Sequence, residues 1–187
     1  MRKSRLSRHK QNKLIELFVA GITARTASEL VNVNKNTAAY YFHRLRLLIY
    51  PTSLHLEMFE GEIEADERYF GGARKGKRGR DAAGKIAVFG FLKRNGKVYT
   101  VVVPNAQSAT LLPIICEKVR PDSIVYTDTY RSYEVLDVSE FSHFRINHST
   151  HFAENHNHIN GIEHFWNQAK RHLRKFNGIP NAHLSCI

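Results

Sequence analysis

Three acidic residues far apart in the chain, Asp66, Asp128 and Glu163, stand where separate elements would hold them. The first lies within a strand, the second at the carboxyl end of another, the third on the first turns of a long helix. Hydrolysis or transfer at a phosphodiester by two Mg²⁺ ions needs hard oxygen ligands converging from separate elements, with the metals about 3.5–4 Å apart to clamp the attacking and leaving oxygens. Three carboxylates are the smallest economical set, and Mn²⁺ can substitute. Each acid also has an ordinary reading. Asp66 is one of several acids on an edge strand, beside Glu62, Glu64 and Glu67; Asp128 is a turn former; Glu163 merely favours a helix N-terminus electrostatically. Their joint placement is what points to a metal site.

Helix phase bears on the third acid. Ile162, Phe165, Trp166, Ala169 and Leu173 make an apolar stripe that docks the helix, while Glu163, Asn167 and Lys170 line up at i, i+4 and i+7 on an adjoining face. Lys170 therefore points the same way as Glu163. It is either an ordinary surface lysine or a ligand for a substrate phosphate, and phase alone does not choose.

The elements that must position these residues begin near Gly61. Ile63, Ala65, Tyr69 and Phe70 alternate around polar positions and the run stops at Gly71-Gly72, which predicts a strand. Two more strands, Lys85 to Lys93 and Lys97 to Pro104, flank Arg94, Asn95 and Gly96, and Asn-Gly between apolar runs is a strong hairpin signal. Ser108 is expected to cap a helix through Leu111, Leu112, Ile114, Ile115 and Val119, ended by Pro121. A short buried strand, Ile124 to Tyr126, leads to Asp128. A small helix near Tyr133 to Leu136, a strand at Phe144 to Ile146 and a long helix from Ile159 to Phe176 complete the series. His158 and Asn160 are expected to position the start of that helix. The order matches the RNase H-like fold, an α/β mixed sheet with flanking helices whose first and fourth strands lie side by side at the centre.

Residues 1–50 read differently, as a small all-α module. Leu14, Ile15, Leu17 and Phe18 mark one helix that Gly21 stops, and Thr23 opens another carrying Ala24, Ala27, Leu30 and Val31. After Asn32 to Asn34, a third carries Ala38, Tyr41, Phe42, Leu45 and Leu48 until Pro51 ends it. This is the plan of a helix-turn-helix, whose final helix enters the major groove. Lys35, Asn36, Thr37, Tyr40, His43 and Arg44 would be exposed on that helix to meet DNA, and Arg2, Lys3, Arg5, Arg8 and Lys10 form a basic arm before it. The alternative is a helical bundle with a solvated basic face.

The 187 residues carry a formal charge of +11 and a pI near 9.8, which favours a polyanionic partner, nucleic acid before anionic lipid. Two cysteines, Cys116 and Cys186, are too few for a zinc ribbon or a disulfide framework and suit a reducing cytosol. With no apolar run near the ~20 residues of a spanning helix and no signal peptide, the expectation is a cytoplasmic, nucleoid-associated protein without a membrane partner. Gly71 to Lys85 holds Arg74, Lys75, Lys77, Arg78 and Arg80 among glycines; this loop either orders against phosphates beside Asp66 or is simply solvated. His143, His148, His151, His156, His158 and His164 enrich the second half, yet no spacing among them reads as a closed zinc site.

Three blocks carry a resemblance: Glu-Ala-Asp-Glu-Arg-Tyr-Phe-Gly-Gly at 64–72, Val-Tyr-Thr-Asp-Thr-Tyr-Arg-Ser-Tyr at 125–133, and the long run from His158 to Phe176. Together they resemble the signature blocks of ISXO-like insertion-sequence DDE transposases, over most of the chain from Gly61 to Pro180. The resemblance implies that Asp66, Asp128 and Glu163 are the metal-binding triad, and that Lys170 is the lysine such enzymes carry seven residues after the third acid. It implies binding to terminal inverted repeats and target DNA, a homo-oligomer on DNA, strand cleavage to leave a 3′-OH, and strand transfer. Two departures stand out: the cysteine zinc ribbon of some relatives is missing, and the chain stops within Asn181 to Ile187 where relatives continue with an aromatic-rich segment. The second departure leaves two alternatives open, an intact copy and a frameshifted or truncated one. Two other functions fit the same residues, a structure-specific nuclease and a transposase remnant that only binds DNA as a regulator.

Overall fold

The computed structural model describes residues 5–53, 57–71, 85–94, 96–138, 142–146 and 158–176. The chain divides into two units, one of residues 1–54 with 175–187, the other of residues 55–174.

In the first unit three helices, α1 (Arg8–Val19), α2 (Ala24–Val31) and α3 (Lys35–Ser53), follow one another closely. Ser7 and Thr23 cap the first two through their side chains. Asn34 Oδ1 accepts the Asn36 amide at 2.8 Å to begin the third, which satisfies a donor that the helix itself cannot. Asn32, in the left-handed region at φ 52°, turns the chain between α2 and α3, a conformation asparagine tolerates better than most residues. Leu14, Ala27, Val31, Ala38 and Phe42 form the core, with Phe18 edge-on to Phe42 at 5.3 Å. Three expectations need correction. Ile15, Leu30 and Leu48 are exposed rather than packed, because the short helices bury a stripe narrower than their apolar content. Pro51 does not end α3, which continues to Ser53; a proline near a helix end removes one hydrogen bond where few remain to be lost. Arg8 and Lys10 belong to α1, and Lys10 Nζ is engaged by the Asn32 carbonyl at 2.8 Å, so neither extends the basic arm.

The second unit is built on five strands, β1 (Glu62–Phe70), β2 (Ile86–Lys93), β3 (Val98–Val103), β4 (Ile124–Asp128) and β5 (Ser142–Ile146), in spatial order β3-β2-β1-β4-β5. The first three pair antiparallel, while β4 joins β1 and β5 joins β4 in parallel. This is the RNase H-like mixed sheet, and β1 is its centre, not an edge. Alternation along β1 divides the layers: Ile63 and Ala65 enter a core with Phe89, Phe91, Leu111, Ile115, Tyr133 and Leu136, while Glu64 meets α5 (Asn160–Leu173) on the other face. Helix α4 (Ser108–Lys118) and a 3₁₀ helix, η1 (Arg131–Val138), cover the first face. Ser108 is the first residue of α4, not its cap; its hydroxyl donates to the Ser132 carbonyl at 2.8 Å, because a partner brought in by the fold competes with the local amide.

Candidate active site

The parallel register sets two of the acids side by side. The last paired positions of β1 and β4 are Glu64 and Tyr126, and two residues further on each strand stand Asp66 and Asp128. Successive side chains alternate, so both acids share the face that α5 covers. Asp128 is held by the turn that follows, its Oδ1 accepting the Tyr130 amide at 2.9 Å. Glu163 lies in the first turn of α5. Ile162 and Trp166 are the buried anchors of that helix, while Phe165, Ala169 and Leu173 are half-buried.

Asp66 is 5% exposed, and its Oδ2 is buried without a hydrogen-bond partner among the described residues. Its carboxyl is raised to about 7, first by burial, then by the charges of Glu67 and Asp128, with Glu163 adding and Arg68 opposing. Like charges around a desolvated carboxylate favour its neutral form, and a divalent cation would reverse that preference. A strongly perturbed acid with such neighbours is a candidate functional group. An orphaned, hard carboxylate oxygen amid other carboxylates fits a divalent metal ion. Among the described residues no three His, Cys, Asp or Glu side chains are gathered as a ready metal cage; the acids share an electrostatic neighbourhood, not a finished coordination sphere.

Lys170 lies on the same helix, its Nζ 5.9 Å from the centre of the Phe70 ring. Partial burial keeps its pKa below the usual lysine range, the charges of Arg68 and Lys85 push the same way, and Asp66 opposes them. Arg68 and Lys170 thus bring positive charge to Asp66, and Lys85 stands beside Lys170. Sequence reasoning named only Lys170; the period-2 spacing from Asp66 to Arg68 carried the signal for the second.

It also missed Glu64 and Arg94. Glu64 is 1% exposed and accepts the Ile162 amide at 2.9 Å. Arg94, from the hairpin, lies 3.3 Å from both Glu64 and Glu62, stacks 4.0 Å over Tyr126 and donates to the His158 carbonyl at 2.7 Å. An open groove of about 640 Å³ lined by Glu60, Glu62, Lys93, Arg94 and Arg120, among others, lies at the far end of the same strands and contains none of the three acids.

In the first unit Arg5, Arg8, Lys35, Asn36, Thr37, Tyr40 and Arg44 are exposed and His43 is half-buried. The Arg44 guanidinium sits 6.0 Å over the Tyr40 ring. Arg74, Lys75 and Arg78, with the rest of their loop, lie outside the described residues, as do His148, His151 and His156.

Comparison with known proteins identifies the family. Over 88 residues, 47% of this chain and 72% of the relative, the sequence is 86% identical to an "uncharacterized transposase-like protein" of Haemophilus influenzae. A second protein of that organism is 63% identical over 35 residues, 19% of this chain and 49% of its own length. The solved Mos1 strand transfer complex overlaps the whole chain and 75% of its own at 10% identity, but with a TM-score of 0.36 the likeness carries no weight. The family model of the ISXO2-like transposase domain matches residues 58–185, the greater part of the chain and all three acids, and the chain belongs to that transposase family.

Proposed function

We propose that the protein is an insertion-sequence transposase that binds the terminal inverted repeats of its element, cleaves a DNA strand to leave a 3′-OH and directs that hydroxyl at target DNA. Asp66, Asp128 and Glu163 hold divalent metal, two Mg²⁺ ions or Mn²⁺ in their place. When bound, the metal supplies an activated nucleophile and stabilises the leaving oxygen. The chain's own residues do the rest. Lys170, with Arg68 and Lys85 beside it, draws a phosphate toward Asp66, and the buried face under α5 limits competing water. Lys35, Asn36, Thr37, Tyr40, His43 and Arg44 on α3, with Arg5 and Arg8, serve DNA binding; assembly on DNA is as a homo-oligomer. The supporting observation is the buried Asp66 oxygen, without a hydrogen-bond partner among the described residues, on which the charges of Asp128 and Glu163 act.

The test is Asp128→Asn on a supercoiled plasmid carrying the DNA that flanks the gene. The amide keeps the shape but removes one negative charge, so Mg²⁺- or Mn²⁺-dependent cleavage should be abolished while plasmid binding survives. Equal cleavage by wild type and variant at saturating metal would make Asp128 a turn residue only. Cleavage without strand transfer by the wild type would favour a nuclease.

A further inference from the structure

Helix α5 has no cap of its own. Ile159 stands at the capping position, offers no side-chain hydrogen bond, and cannot satisfy the amides of the first turn. That task falls to Glu64, 98 residues earlier in the chain, whose Oε2 accepts the Ile162 amide at 2.9 Å. A carboxylate at this end also suits the helix dipole. The other oxygen, Oε1, lies 3.3 Å from Arg94 Nε and 3.4 Å from His158 Nδ1.

Arg94 extends the tie. Its guanidinium reaches the His158 carbonyl just before α5, Glu64 on β1 and the face of Tyr126 on β4. On β1 and β4 these contacts fall at Glu64, two residues before Asp66, and Tyr126, two before Asp128; His158 lies two residues ahead of α5, and Glu64 itself holds Ile162, one before Glu163. Close packing reinforces the arrangement. A Cβ at Gly161 would lie 2.9 Å from Glu64 Oε2 and 2.6 Å from Leu92 Cδ2, so only glycine lets the first turn settle onto the carboxylate.

We infer that Glu64, braced by Arg94, is a positioning residue of the transposase: it pins the first turn of α5 to β1 and thereby sets Glu163 against Asp66. The inference rests on the reading of Glu163 as a metal-holding acid. A glutamine at 64 presents one oxygen and one amide group, so it cannot accept from Ile162 and face Arg94 with an acceptor at both ends.

The experiment compares full-length wild type with Glu64→Gln, Glu64→Asp and Gly161→Ala. Amide exchange of α5 is followed in the absence of DNA, and plasmid cleavage is titrated with Mn²⁺. In Glu64→Gln the Ile162, Glu163 and His164 amides should exchange about tenfold faster, the loss of a hydrogen bond to a charged group, with β1 and β4 unchanged. The Mn²⁺ midpoint should rise and kcat fall while KM for DNA stays constant. Glu64→Asp keeps the charge but falls one methylene short, and should fail likewise. Gly161→Ala disturbs the same turn with Glu64 intact, and decides the matter if Glu64→Gln does not fold. Unchanged exchange at Ile162 overturns the clamp, and so does full recovery by Glu64→Asp. Faster exchange with wild-type kcat and Mn²⁺ midpoint overturns the positioning role. A wild type that never cleaves overturns the functional reading instead, while exchange still reports on the clamp.

Discussion

Gly90 faces Trp166 so closely that a Cβ at Gly90 would stand 2.7 Å from the indole Cζ2. Gly90 is also the β2 partner of Asp66. The indole, 1% exposed and edge-on to Phe70 at 6.0 Å, therefore anchors α5 directly beside the candidate site. Gly90→Ala forces the ring aside in a packed core and should destabilise the protein by roughly 1–3 kcal/mol. Trp166 is the one tryptophan in the chain, so its fluorescence reports the displacement. An unchanged emission spectrum with an unchanged Tm would show that α5 is not seated there.

Asp66 predicts how stability depends on pH. Its carboxyl is raised to about 7 in the folded protein, from an ordinary 3.8. Between these values the folded state keeps a proton that the unfolded chain has released, so stability falls as pH rises from about 4 to about 7. Above that, the full cost of a buried charge remains. The Tm of metal-free protein should decline over this range, and Asp66→Asn should remove that part of the decline and be the more stable protein at pH 8. Mg²⁺ at pH 8 should raise the Tm of wild type more than that of the variant. Parallel Tm profiles for the two proteins would refute this account.

Tyr133 donates to Glu67 Oε2 at 2.6 Å in the buried layer beneath β1. Burial and the charge of Glu67 both hold the phenol well above its usual range, so it stays a donor at any working pH. Tyr133→Phe removes that donor from a buried carboxylate and should cost about 1–3 kcal/mol. Chemical denaturation measures the loss. The double variant with Glu67→Gln should recover part of it, and a Tyr133→Phe variant as stable as wild type would mean that Tyr133 stabilises through its ring alone.

DNA binding through α3 predicts a particular salt response. Lys35 and Arg44 are exposed on that helix. If each neutralises a phosphate, Lys35→Ala and Arg44→Ala should weaken binding of the full chain to any duplex, and each should lower the slope of log K against log salt by about one. Slopes equal to wild type would place the DNA elsewhere.

The amino-acid sequence by itself determined the elements and singled out the three acids as candidates. Period-2 alternation located β1, apolar runs and turn residues located the hairpin and β4, and helical periodicity located α5, since each signal lies within a few neighbouring residues. Tertiary structure decided what those signals could not carry. The centrality of β1 follows from its pairing with β2 on one side and β4 on the other, which turned Asp66 from one acid in a run of four into a desolvated one. Ser108 looked like a cap until Ser132 offered its hydroxyl another partner. Glu64 looked like a solvated neighbour until the fold brought the uncapped start of α5 against it. In each case the deciding partner lies tens of residues away, and no local pattern records the burial and hydrogen bonding that such a partner imposes.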